Sequence, residues 1–101
     1  MSHRVRFTRG AEADLLELYD FLARTDLQAA EGALAALRKA MGVLESFPFA
    51  CRKAAGKRQS PFLREMIVSF GRSGYVVLYE IEDARIVTVL AVRHQREDDY
   101  H

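Results

Sequence analysis

Apolar and polar residues alternate over residues 4–8 and then change to a helical spacing. The alternation in RVRFT is typical of a strand with one buried side. Thr8 offers an oxygen that can cap a helix. The pattern then predicts one helix of about four turns, with an apolar stripe of Ala11, Leu15, Leu18 and Leu22. Its acidic residues are expected to face mostly water: Glu12, Asp14, Glu17 and Asp20.

A second helix is predicted after a break at Thr25 and Asp26, either of which can cap it. Its apolar stripe runs to about Ser46 and consists of Leu27, Ala30, Leu34, Leu37, Met41 and Leu44. The short connection predicts an antiparallel helical hairpin. A coiled-coil seam between two chains is the alternative. We favour packing within one chain, because the stripe spans fewer than three heptads and a sheet needs a cover.

The last third of the chain contains three apolar runs, at residues 62–70, 75–81 and 86–92. The expected turn is Arg72, Ser73 and Gly74, and Glu82 to Ala84 form the second break. Connections this short predict an antiparallel meander. Alternation sends Tyr75, Val77 and Tyr79 to one side and Val76, Leu78 and Glu80 to the other. We therefore predict an α+β fold: an N-terminal strand, a helical hairpin and a three-stranded meander, with the helices packed on one sheet face.

The helix-free face of this sheet is also expected to be largely apolar, which favours a partner there.

Composition indicates a single domain over residues 1–101, because half the residues are apolar and the net charge is +1. We see no membrane span and no secretory signal, so we expect a cytoplasmic protein. The near-neutral charge argues against broad nucleic-acid binding, and direct sequence-specific binding is not expected.

Cys51 is the only cysteine and the three histidines are scattered, so no disulfide, metal site or cofactor is expected. The connector at residues 49–61 is basic, with Arg52, Lys53, Lys57 and Arg58. It has two interpretations. It is either a solvated loop, or these side chains flank a site for a polyanion or an acidic protein segment.

Three segments, VRFTRGAEADLLELYDFLA, LREMIVSFGRSGYVVLYEI and VTVLAVRHQREDDYH, resemble the RelE/ParE superfamily of bacterial toxins in order and spacing. The ending AVRHQREDDYH is more similar to the ParE and plasmid-stabilisation branch. The resemblance implies two helices on a curved antiparallel sheet. It also implies a toxin of a type II toxin–antitoxin system. Its cognate ParD-like antitoxin would wrap it with a disordered C-terminal segment, forming a hetero-oligomer.

Two activities are implied by the superfamily. RelE-like members resemble ribosome-dependent mRNA endoribonucleases, whereas ParE-like members look like binding inhibitors of DNA gyrase. RNA cleavage needs cations, a base and an acid. The candidates are Arg64, Arg93 and Arg96 as cations, His94 as base, and Tyr100 as acid or stacking platform. However, Glu97, Asp98 and Asp99 would repel RNA phosphates.

We therefore expect a non-enzymatic, ParE-like toxin whose target-binding residues are Arg64, Arg93, His94, Arg96 and Tyr100. Two alternatives stay open: an mRNA endoribonuclease, and an inactive toxin fold that serves as an antitoxin-binding module. The residues also have structural interpretations. Arg64 could lie on the wet side of a strand, Arg93 could pair with a tail carboxylate, and His94 could merely end a strand.

Overall fold

Two α-helices and five strands form the described part of the chain. The structure, a computed structural model, describes residues 2–54, 60–71 and 73–94. Its elements are β1 (Arg4–Phe7), α1 (Arg9–Ala23), α2 (Leu27–Ser46), a 3₁₀ turn (Pro48–Ala50), β2 (Arg52–Lys53), β3 (Leu63–Phe70), β4 (Ser73–Ile81) and β5 (Ile86–His94). The predicted α+β class is confirmed. The predicted site residues Lys57, Arg58, Arg96 and Tyr100 lie outside the described ranges, as do Arg72 of the predicted turn and the acidic residues Glu97, Asp98 and Asp99.

Both helices begin at side-chain caps. The Thr8 hydroxyl oxygen accepts a hydrogen bond from the Ala11 amide at 3.1 Å, as the sequence predicted. Asp26 caps α2, because its carboxylate accepts from the Ala29 amide at 3.2 Å. The other candidate, Thr25, instead donates its hydroxyl to the Leu22 carbonyl at the end of α1.

The helices pack on one face of the sheet, and the core lies between the helices and the sheet. The fully buried side chains there include Leu44, Val77, Tyr79, Val87 and Val89. The stripe of α2 covers this sheet within the chain, which confirms the intramolecular interpretation. One member of the predicted stripe does not take part: Leu27, in the first turn of α2, is 58% exposed.

The sheet has the order β1-β5-β4-β3-β2. The predicted antiparallel meander of β3, β4 and β5 is confirmed. Two pairings were not predicted: β1 runs parallel to β5, and the two-residue β2 pairs with β3. Residues that are distant along the chain form both pairings, so no local pattern signals them.

The turn between β3 and β4 lies earlier than predicted. Ser73 and Gly74 belong to β4, where they pair with Phe70 and Ser69. The chain reverses after Gly71, whose φ of +63° favours glycine. Gly74 is constrained differently, because a side chain there would collide with the backbone of Val68. The two glycines thus serve different purposes, and only the first makes the turn.

A β-bulge interrupts the pairing of β4 with β5. Leu78 lies opposite Ala91 but Tyr79 lies opposite Val89, so Leu90 is the extra residue. The start of α1 bonds to β5 at this point. Thr8 donates its amide to the Val89 carbonyl (3.0 Å) and its hydroxyl to the Leu90 carbonyl (3.3 Å).

Asp14 contributes to the same junction, although the sequence predicted that it would face water. Its carboxylate is partly buried and accepts a hydrogen bond from the Val92 amide at 2.9 Å. That prediction was wrong, because helical periodicity does not reveal an irregular strand against which the helix packs. The bulge also decides which way the last side chains of β5 point. Val92 joins the core, so Arg93 lies on the helix-free face of the sheet, called the outer face, and His94 lies on the helix face.

The outer face of the sheet is less exposed than the sequence predicted. Val76 lies on it but is only 4% exposed, whereas Ile67 is 39% exposed. Most of the exposed large apolar side chains lie elsewhere: Leu16, Phe21 and Leu27 on the helices, and Val43, Phe47, Phe49 and Phe62 around the end of α2 and the start of β3. None of the helices in the described ranges has the length and apolar character needed to cross a membrane.

Tyr79 gives a direct test of the core. Its hydroxyl is fully buried and donates to the Pro48 carbonyl at 2.6 Å, and burial raises the pKa of this phenol. Tyr79→Phe leaves the buried carbonyl without this donor, so we expect the free energy of unfolding to fall by about 1–3 kcal/mol. Urea denaturation followed by circular dichroism measures it. An unchanged midpoint would show that the bond does not stabilise the fold.

Candidate target-binding surface

An exposed arginine marks the outer face near the end of β5. Arg93 lies opposite Val76, which in turn lies opposite Ile67 on β3. The three side chains therefore form one row across the sheet, with a guanidinium at one end and two aliphatic groups beside it. Such a mixture of arginine and apolar surface is typical of protein interfaces.

Arg93 differs from two other outer-face arginines in its surroundings. Arg6 pairs with Glu82 (2.7 Å) and Arg52 pairs with Glu65 (3.1 Å). A hydrogen bond from Thr88, and then Arg6, hold the pKa of Glu82 below its usual value. Within residues 2–54, 60–71 and 73–94, Arg93 has no ion-pair partner.

His94 faces the other way, toward the helices. It lies opposite Tyr75, with the ring centroids 5.8 Å apart and the ring planes at 87°. Tyr75 in turn stacks on Phe70 at 6.4 Å, and burial raises the pKa of the Tyr75 phenol. His94 thus ends a row of aromatic rings, and its imidazole is on the opposite side of the sheet from the guanidinium of Arg93.

A groove of about 950 Å³ opens between the second half of α1 and this end of the sheet. We call it the end groove. Arg93 and His94 form part of its lining, together with Phe70, Tyr75 and Val92 from the strands. The charged residues of its helical wall are Asp14, Glu17, Asp20 and Arg24, and Phe21 is 70% exposed beside them. A segment that occupied the groove would cover His94 and lie beside Arg93.

Arg64 is far from this end. It lies opposite Tyr79, three residues along β4 from the partner of Arg93. Three residues of strand span about 10 Å, and two strand spacings of about 4.8 Å separate β3 from β5. Arg64 also points to the helix face. The structure therefore does not bring Arg64 together with Arg93.

The guanidinium of Arg64 is occupied by the chain itself. It donates to the carbonyls of Pro61 (2.8 Å), Phe49 (3.0 Å) and Cys51 (2.8 Å), and it stacks 5.2 Å from the centre of the Phe49 ring. Arg64 is thus more than a solvated strand residue. It fastens the segment around the 3₁₀ turn to the start of β3.

The basic connector adjoins Arg64. Arg52 and Lys53 are exposed, and Lys53 lies opposite Arg64 in the β2–β3 pair. Sequence reasoning missed the aromatic pair beside them: the rings of Phe49 and Phe62 meet edge to face at 6.3 Å, and each is about half exposed. The available signal was that each of these phenylalanines follows a proline, with Phe49 in the connector and Phe62 at the start of the first predicted apolar run.

Comparison with known proteins identifies the family. Residues 5–99 match the sequence model of the family described as "ParE toxin of type II toxin-antitoxin system, parDE". The chain belongs to this ParE toxin family. A solved structure titled "Chromosomal ParDE TA system from P. aeruginosa" contains a similar chain. The two share 16% identity with a TM-score of 0.71, over 91% of this chain and 95% of that one, which is a likeness of fold. No curated protein matches.

Within the described ranges, no three His, Cys, Asp or Glu side chains are grouped in a way that could hold a metal ion. The candidate nuclease cations and base occupy separate places: Arg64 at one end of the sheet, and Arg93 and His94 on opposite faces at the other. The end of β5 in this ParE chain thus presents an exposed arginine on the outer face, next to a groove.

Proposed function

We propose that this ParE toxin inhibits DNA gyrase by binding it in the cytoplasm, without catalysis of its own, and that a cognate ParD-like antitoxin neutralises it. The contact surface is the end of β5, with Arg93 on the outer face and His94 at the end groove. Arg96 and Tyr100 follow them along the chain and are proposed as further contacts.

The observation that carries this proposal is the row of Ile67, Val76 and Arg93. The guanidinium of Arg93 provides charge for orientation and the exposed Ile67 provides apolar surface for contact, while Val76 between them is buried. The row offers no acid and no base of its own. It therefore suits recognition of a protein surface better than chemistry on a phosphate.

The separation of the candidate catalytic residues argues against the nuclease alternative. A general base must come within about 3 Å of the hydroxyl that it deprotonates, while a cation contacts the same phosphate. His94 and Arg93 are consecutive residues on opposite sides of a strand, and the Arg64 guanidinium is bonded to three carbonyls. These three residues cannot converge on one phosphate in this arrangement.

The end groove is a suitable place for the antitoxin. Its acidic helical wall, Glu17 and Asp20 above all, complements a basic amphipathic segment, and the exposed Phe21 offers an apolar contact. A segment bound there covers His94 and adjoins Arg93. Neutralisation then follows from competition, because antitoxin and gyrase would use overlapping residues.

A gyrase supercoiling assay with the purified full chain tests the proposal, with a coupled translation reaction run beside it. We expect supercoiling to fail and cleaved DNA to accumulate while mRNA stays intact. Ribosome-dependent cleavage of mRNA with gyrase unaffected would establish the nuclease alternative. If neither reaction responds, the chain is an inactive toxin fold that only binds its antitoxin.

A further inference from the structure

One edge of the sheet is only partly covered. β4 pairs with β3 along all eight residues of Leu63–Phe70, whereas on the other side β2 pairs only with Arg64 and Glu65. Residues 66–70 have no neighbouring strand on that side within the described parts of the chain. This stretch, MIVSF, is called the open edge below.

Two hydrogen bonds fix the direction in which each backbone group of β3 points. Ile81 donates its amide to the Phe62 carbonyl, on the β4 side, and Ala54 donates to the Leu63 carbonyl, on the β2 side. In a strand the N–H and C=O of one residue point the same way, and this direction alternates from residue to residue. Ile67 and Ser69 therefore point their two N–H and two C=O groups away from β4, at the open edge.

The open edge lacks the features that normally prevent strand pairing. Exposed edges are usually protected by charged side chains, by proline, by a bulge or by very short length. The open edge has five residues and contains neither a charge nor a proline, and Ile67, one of its side chains on the helix-free face, is 39% exposed. It is therefore a template for another strand.

We infer that the open edge pairs with the open edge of a second copy of this chain, in antiparallel orientation, about a two-fold axis at Val68. This register places Ile67 of each copy opposite Ser69 of the other. Each such pair exchanges two N–H···O=C bonds, so the interface has four, and all the outward-pointing groups are used. Met66 then lies opposite Phe70 of the second copy, on the helix side.

Self-complementarity is the reason for choosing a second copy over a different strand. The pairing is isologous, brings no like charges together, and joins five residues to five. Both ends of the stretch fit this length, because β2 begins opposite Glu65 and the chain turns at Gly71. An interface of this size lies below the range of stable dimers, so the association is expected to depend on concentration. It shares Ile67 with the row proposed to contact gyrase, but sedimentation of the free chain measures it without gyrase.

Sedimentation equilibrium of the purified full chain at rising concentration tests the inference. The apparent mass should rise from 11.5 kDa toward twice that value. Ser69→Pro removes an outward N–H without removing a bond to β4, and we expect it to weaken the association at least roughly tenfold. Ser69→Ala keeps the backbone donor and should associate like the unmodified chain.

Ile67→Lys provides a second variant, should proline at position 69 disturb folding. This substitution places a charge within the open edge and should keep the chain monomeric. An unchanged circular dichroism spectrum would show that the variant is folded. The inference is overturned if the unmodified chain keeps its monomer mass at every concentration, or if the folded Ile67→Lys variant associates equally well. It is also overturned if the Ile67 and Ser69 amides gain exchange protection only with antitoxin.

Discussion

Replacement of Arg64 by alanine is expected to lower the free energy of unfolding by roughly 2–4 kcal/mol. The guanidinium donates to three backbone carbonyls and stacks on Phe49. Without it, the carbonyls of Pro61, Phe49 and Cys51 lose a charged donor together, and the segment around the 3₁₀ turn loses its attachment to β3. Urea denaturation gives the change in free energy.

Two control variants separate the geometry of Arg64 from its charge. Arg64→Lys keeps the charge but cannot form the planar fork, so we expect it to restore less than half of the loss. Arg6→Ala removes an exposed ion pair with Glu82 and should cost no more than about 1 kcal/mol. Gyrase inhibition by folded Arg64→Ala should be retained. A stable Arg64→Ala variant that no longer inhibits would instead make Arg64 a target contact.

Arg93→Glu is expected to raise the concentration needed for half-inhibition of gyrase supercoiling at least roughly tenfold, the size typical of an interface hot spot. The side chain is exposed at the end of the row with Val76 and Ile67, and reversing its charge removes the complementarity proposed there. The free energy of unfolding should change by less than about 0.5 kcal/mol, because no described ion pair is lost.

Arg4→Glu is the matched control for this experiment. Arg4 is exposed, lies opposite Ile86 at the other end of the sheet, and undergoes the same change of charge. If Arg4→Glu weakens inhibition as much as Arg93→Glu does, net charge alone governs the encounter with gyrase. If neither variant changes inhibition, the end of β5 is not the contact surface.

The sequence predicted which residues are candidates for the site, but not where they lie relative to one another. Residue type and position near the chain's end singled out Arg93 and His94, and both do lie at the end groove. Arg64 was singled out by the same reasoning, yet it lies at the opposite end of the sheet, with its guanidinium bonded to the chain. A sequence shows which side chains can carry charge. It does not show which backbone carbonyls a guanidinium will meet after folding, because those of Phe49 and Cys51 come from another segment of the chain.

Sequence periodicity determined the elements themselves. The alternation in β1 and β4, the apolar stripes of α1 and α2, and the caps at Thr8 and Asp26 depend on residues a few positions apart. The meander followed for the same reason, because its short connections permit only antiparallel neighbours. These features depend only on residues that are close along the chain, so a single sequence is enough to predict them.

Tertiary structure alone decided the faces on which the functional residues lie. The bulge at Leu90 forms where Thr8 bonds to Leu90 and Asp14 bonds to Val92, across 82 and 78 positions of the chain. One extra residue in a strand exchanges its two faces, so these contacts direct Arg93 outward and His94 toward the helices. The parallel pairing of β1 and the short β2 likewise depend on distant backbone partners, which no local pattern in the sequence specifies.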